Sequence, residues 1–101
     1  MDLPNHAESS LNPIILIHDT LATCQGLQLH VKANLGRSKI LEYDGTVTEV
    51  HEQLFVIEVK RKRGSVERKS YQYVDILTGN VILMYFEQHT PLFPQPFIMV
   101  N

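Results

Sequence analysis

Leu27, Leu29, Val31 and Ala33 alternate with Gln28, His30 and Lys32. A period of two sends successive side chains to opposite faces, so this segment can exist as a strand with one buried face. The next fifty residues extend the pattern into a sheet. Asn34-Leu35-Gly36 turns the chain, with Gly36 suited to positive φ. A long strand then runs from Arg37 to Val50, in which Leu41, Tyr43 and Val47 share a parity that Gly45 interrupts. A glycine at that point lets a strand bend from one sheet into the next. Leu54 to Val59 is apolar on both parities except Glu58, as expected of a central or doubly covered strand. Lys60 to Gly64 reads as a hairpin tip, Val66 to Tyr73 as a fourth strand, Asp75 as a tight turn, and Asn80 to Phe86 as a fifth strand. The expected fold class is mainly β: an SH3-like or Sm-like five-stranded barrel preceded by a short N-terminal helix.

Asn12-Pro13 marks the start of that helix. The Asn side chain accepts from the free N–H groups of the first turn, and Pro at the first helical position sacrifices no bond. Leu11 and Leu16 are spaced for a hydrophobic staple. Ile14, Ile17, Leu21 and Cys24 share one face of a helix ending at Gly26. Ile15 and Leu16 lie off it. Either they also touch the barrel, or they form a subunit contact in a homo-oligomer. A strand over Ile14–Ile17 is the competing reading of the same residues. The expected organisation is a loose tail over 1–11, one helix-plus-barrel domain over 12–87, and a Pro-rich tail over 88–101. In that tail Phe93, Phe97 and Ile98 need an apolar surface to lie on.

The 101 residues are enough for one domain, and 44% hydrophobic with 20% charged residues is a globular composition. A net charge of −2 argues against the molecule as a whole being a polyanion binder, but the charge is unevenly placed. All nine Lys and Arg lie between Lys32 and Lys69 among six acids, giving +3; the remaining residues carry five acids and neither Lys nor Arg, giving −5. The single cysteine, Cys24, excludes an intrachain disulfide. No signal peptide or membrane-length apolar run is recognisable, so a cytoplasmic location without membrane attachment is expected.

Catalytic patterns are lacking. His6, His18, His30, His51 and His89 are far apart, with no His-x-His or Cys-x-x-Cys, so neither a metal site nor a cofactor is expected. Cys24 on an apolar helix face reads as a small buried side chain rather than a nucleophile. Asn34-Leu35-Gly36-Arg37 holds one glycine and precedes a strand, which does not make a phosphate loop. The positive signal is basic. Lys60, Arg61, Lys62 and Arg63 put four charges on a hairpin tip, either as a solvated guard against edge pairing or as an anion-binding finger. Lys32, Arg37 and Lys39 flank the first hairpin. Arg68 and Lys69 adjoin Tyr71 and Tyr73, whose rings either stack on unpaired bases or cover the core with their hydroxyls at a rim.

Several pieces carry a resemblance. They are the Lys32-Ala33-Asn34-x-Gly36-Arg37-x-Lys39 turn, the Phe55-Val56-Ile57 strand, Glu67-Arg68 followed by Ser70-Tyr71-x-Tyr73, and Asp75-Ile76-Leu77-Thr78. From about Thr20 to Leu83 the chain resembles the Veg family of small bacterial proteins, named as biofilm-formation stimulators. Leu35 stands where that family usually has a second glycine. The tip over Lys60–Arg63 varies in the family, so no family role passes to it. The resemblance implies a cytosolic regulator in Gram-positive bacteria that raises expression of biofilm matrix genes without known catalysis. It marks Lys32, Asn34, Arg37, Lys39, Arg68, Tyr71 and Tyr73 as a candidate binding face, to which Lys69 is added as Arg68's neighbour.

The resulting expectation is a non-enzymatic regulator that binds a protein partner, with RNA or single-stranded DNA binding through the basic half as the alternative.

Overall fold

The computed structural model describes residues 12–93. Helix α1 spans Pro13–Thr23, and Asn12 caps it as expected, its Oδ1 accepting from the Ile14 N–H at 3.0 Å. The helix stops at Thr23, three residues before Gly26, with Cys24 as its C-cap. Ile17, Leu21 and Cys24 are buried and Ile14 packs against the same cluster. Ile15 and Leu16 are 48% and 45% exposed, so they do not join the core. The Gly26 N–H donates to the Val47 carbonyl and the Val47 N–H to the Leu27 carbonyl, tying the helix exit to the sheet.

Five antiparallel strands come next: β1 (Gln28–Gly36), β2 (Lys39–Val50), β3 (Leu54–Lys60), β4 (Val66–Gln72) and β5 (Val81–Tyr85). They make one sheet in the order β4-β3-β2-β1-β5. The inner face carries Leu29, Val31 and Ala33 of β1, Val47 of β2, Phe55, Ile57 and Val59 of β3, and Val81 and Leu83 of β5, all buried. Two devices curl β2. At Gly45 a Cβ would collide with Ile57 Cγ2 and sit 3.1 Å from the Glu58 carbonyl oxygen, so the bend requires glycine there. At Thr48 the register shifts between Val47 and Glu49, a bulge that tightens the twist.

The sheet departs from the expected pattern in its first turn, in its fourth strand and in its closure. The first turn is not Asn34-Leu35-Gly36: β1 continues through Gly36, and Arg37 and Ser38 make the turn with φ of 51° and 64°. Tyr73 is not the end of a strand: Tyr73–Leu77 form a short helix, α2, replacing the tight turn near Asp75. The Asp75 carboxylate accepts from the Gln72 N–H at 3.2 Å and so caps this helix. The third concerns closure. Among the described residues no ladder joins β4 to β5, so the expected barrel is an open, curled sheet. The residues that would carry β4 toward β5 are spent on α2. The outer edge of β5 is in turn occupied by the returning chain: Tyr85 N–H donates to Thr90 O, Leu92 N–H to Leu83 O, and Pro91 bridges Met84. Phe93 then enters the core, 6% exposed. Phe97 and Ile98 lie outside the described residues.

Tyr73 closes the open side. It is 1% exposed, its ring stacks on Phe55 at 5.7 Å, and its hydroxyl donates toward the carbonyls of His51 and Leu54. Helix α1 packs on α2 and β2, completing the second layer.

Candidate functional site

The period of two decides where the basic residues go. β1 pairs with β5 only over Leu29–Ala33, and the β2–β3 ladder begins at Thr46. Beyond Asn34 the β1–β2 hairpin is therefore a two-stranded arm, and residues 34 to 40 are all exposed. Its turn is stiff. Asn34 Oδ1 accepts from the Gly36 N–H at 2.8 Å, and three successive residues, Gly36, Arg37 and Ser38, have positive φ. Lys32, half-buried, stands at its base; Arg37 and Lys39 stand at its end. Among the described residues none of these three cations has a carboxylate within salt-bridge distance. Two apolar side chains, Leu35 (55% exposed) and Ile40 (49%), share the arm with them.

Arg68 lies elsewhere. It pairs with Glu58, which pairs with Thr46, seven residues along β2 from Lys39, or about 23 Å at roughly 3.3 Å per residue. It is also held: Glu49 and Glu58 both bind its guanidinium, the latter at 3.4 Å. These contacts keep the Glu49 carboxyl below its ordinary pKa, Arg68 first and His51 second. By register Val56, Ser70 and Glu49 share this outer face, on which Val56 is 7% exposed although it is no part of the main core cluster.

Lys69, the next residue, faces inward. Its Nζ is 3.0 Å from Glu67 and 5.6 Å from the centre of the Tyr43 ring. Arg61 also binds Glu67. These two cations, the hydrogen bond from Arg61 foremost, hold the Glu67 carboxyl below its ordinary pKa. Tyr71 packs against the core and its hydroxyl meets that of Tyr43 at 2.5 Å. The structure thus divides the sequence-derived set. Lys32, Asn34, Arg37 and Lys39 share one arm. Arg68 lies on the outer face of β4, Lys69 and Tyr71 on its inner face, and Tyr73 is in the core. At the β3–β4 tip, Arg61 is neutralised, while Lys60, Lys62 and Arg63 are exposed and carry no ion pair among the described residues. Arg63 adopts φ of 73° in the tip's single 3₁₀ turn.

One cluster has no counterpart in the sequence reading. His30 stands directly across from Asp44 in the β1–β2 ladder, and its Nδ1 is 2.8 Å from Asp44 Oδ1. Its Nε2 is 3.3 Å from Glu42 Oε1. The Asp44 hydrogen bond, opposed by partial burial and supported by Glu42, holds the imidazole above its ordinary pKa. His89, in the turn after β5, stacks on the His30 ring at 4.1 Å. No spacing rule joins residues 30, 44 and 89, because three separate elements bring them together.

The sequence model of the family described as "Biofilm formation stimulator VEG" matches residues 12–84. The chain belongs to the Veg family. The match takes in α1, all of β1 to β4, α2 and most of β5, and with them the arm; His89 lies beyond it. No curated protein matches the chain. Among the described residues no helix of this Veg-family chain is long and apolar enough to cross a membrane.

Proposed function

We propose that this Veg-family chain is a non-catalytic, cytoplasmic regulator of biofilm matrix genes in a Gram-positive bacterium, and that it acts by seating the β1–β2 arm on a protein partner. One observation carries this reading: Arg37 and Lys39 at the end of the arm are exposed and, among the described residues, unneutralised beside two exposed apolar side chains, whereas Arg61, Arg68 and Lys69 already have carboxylate partners. Cations with apolar neighbours suit a partner surface that is acidic around an apolar centre, since charge sets approach and register while apolar contact supplies affinity. The strand order, with α2 leading into β5, suits an SH3-like or Sm-like topology that presents such a hairpin outward. RNA or single-stranded DNA binding has less support. Tyr73, beside Arg68 and Lys69, is buried with its ring on Phe55, and Tyr71 packs against the core, so these two rings offer unpaired bases little face to stack on.

The test is genetic. A chromosomal Arg37→Glu/Lys39→Glu variant should lower a matrix-gene reporter to the level of a deletion strain while the purified protein keeps its melting temperature. A reporter at wild-type level in that strain would refute the arm as the acting surface.

A further inference from the structure

We propose that His30, Asp44 and His89 form a binding site for a divalent transition-metal ion of the zinc type. One nitrogen from each imidazole and one Asp44 oxygen all lie within 4.8 Å of one another. Two nitrogens and one carboxylate oxygen suit Zn²⁺, Co²⁺ or Ni²⁺, and suit Mg²⁺ or Ca²⁺ poorly. Each ligand is held by the fold. His30 and Asp44 are a direct cross-strand pair, so the ladder fixes their separation. The His89 N–H donates to the Tyr85 carbonyl at 2.8 Å, and its φ of 58° belongs to a turn that delivers the ring onto the sheet face.

The surroundings of His30 match those of a ligating histidine. With Nδ1 directed at the ion, Nε2 keeps its proton and donates to Glu42 Oε1, 3.3 Å away. A carboxylate on the far nitrogen is the usual device for fixing tautomer and ring orientation at a metal. The two rings are stacked 4.1 Å apart at 16°. Nitrogens sharing a tetrahedral ion at about 2.0–2.1 Å each lie roughly 3.3 Å apart. The stacked rings direct their in-plane lone pairs nearly parallel, so binding requires the exposed His89 to rotate out of the stack until its lone pair converges with that of His30 on the ion. Three protein ligands leave a fourth position for water or for a donor from another molecule. The ion would also staple the turn after β5 to the β1–β2 ladder, next to the segment that carries Phe93 into the core.

Titrating the intact chain with Co²⁺, followed by its visible d–d absorption and displaced by Zn²⁺, tests this directly. The expected result is one saturable equivalent of tetrahedral-type intensity and a higher melting temperature with Zn²⁺. His89→Ala should weaken Co²⁺ binding at least tenfold; because His89 is exposed, its metal-free melting temperature should stay close to that of the parent. Asp44→Asn should weaken it as well, whereas His6→Ala, His18→Ala and His51→Ala should leave it unchanged. Absence of a saturable spectrum would overturn the proposal. So would a His89→Ala variant that binds like the parent, or loss of binding in any of the three control variants.

Discussion

The hydroxyls of Tyr43 and Tyr71 meet at 2.5 Å although β3 separates the strands that carry them. Tyr71 pairs with Phe55 and Phe55 with Val50, seven residues along β2 from Tyr43 or about 23 Å at roughly 3.3 Å per residue in a flat sheet, so the contact requires the curl that Gly45 and the Thr48 bulge impose on β2. Burial, and next the Tyr71 hydrogen bond, push the Tyr43 hydroxyl far above the ordinary phenol pKa.

Tyr71→Phe should therefore leave the Tyr43 hydroxyl part-buried without its partner and cost about 1–2 kcal/mol in urea unfolding. Tyr43→Phe/Tyr71→Phe should recover part of that loss, because no orphaned hydroxyl then remains. The pair also predicts a sign at alkaline pH. A group whose pKa is raised on folding contributes stability that is complete below its unfolded value, about 10, and that falls as pH rises past it. The parent should lose stability above pH 10 more steeply than Tyr43→Phe, and parallel curves would contradict the coupling.

Gly45→Ala should cost about 1–3 kcal/mol, since the new methyl meets Ile57 Cγ2 and the strand cannot retreat past the Glu58 carbonyl. Ile57→Ala opens a cavity of its own, but the double variant should be more stable than the two single costs predict, because the cavity admits the methyl. Strict additivity in denaturant unfolding would show that Ile57 does not set the requirement for glycine.

Glu49 and Glu67 are held below the ordinary carboxylate range by Arg68 and Arg61 respectively. A lowered pKa contributes stability above the unfolded value, about 4.3, and that stability disappears as pH falls through the lower folded value. Arg68→Ala should flatten this acid limb, an effect that salt reduces because the groups are exposed. An unchanged pH–stability curve below pH 5 would mean that the Arg68–Glu49 ion pair contributes nothing.

Phe93→Ala should destabilise the domain by about 3 kcal/mol or more, as expected for emptying an aromatic core position. A chain ending at Gln88 should melt lower still, since it also bares the outer edge of β5. Equal melting temperatures for the full and shortened chains would place Phe93 outside the folding unit.

Local chemistry made much of the fold readable. Asn12-Pro13 starts a helix by capping alone, the alternation through Ala33 requires a strand, and Gly45 marks the bend. Readability failed where the deciding partner was distant or the local preference was overridden. Arg37 and Ser38 turn the chain in conformations that favour glycine, so Gly36 drew the turn one step early. Tyr73 looked like a strand residue because its ring obeys the β4 parity, but its hydroxyl is satisfied by the loop before β3, and a helix begins there. Arg68 and Lys69 are neighbours in sequence and therefore opposites in a strand, which splits a basic cluster that composition alone presents as one. His89 gives no local sign of His30.

Partner recognition through the β1–β2 arm is tested most directly by quantitative affinity capture of the tagged chain from its native lysate, with and without nuclease. Three forms should be compared: the parent, Arg37→Glu/Lys39→Glu, and Lys60→Glu/Lys62→Glu/Arg63→Glu. A single protein retained after nuclease by the parent and the tip variant, and lost from the arm variant, is the predicted result. Equal retention by the arm variant, or complete loss of the captured material on nuclease treatment, would contradict it.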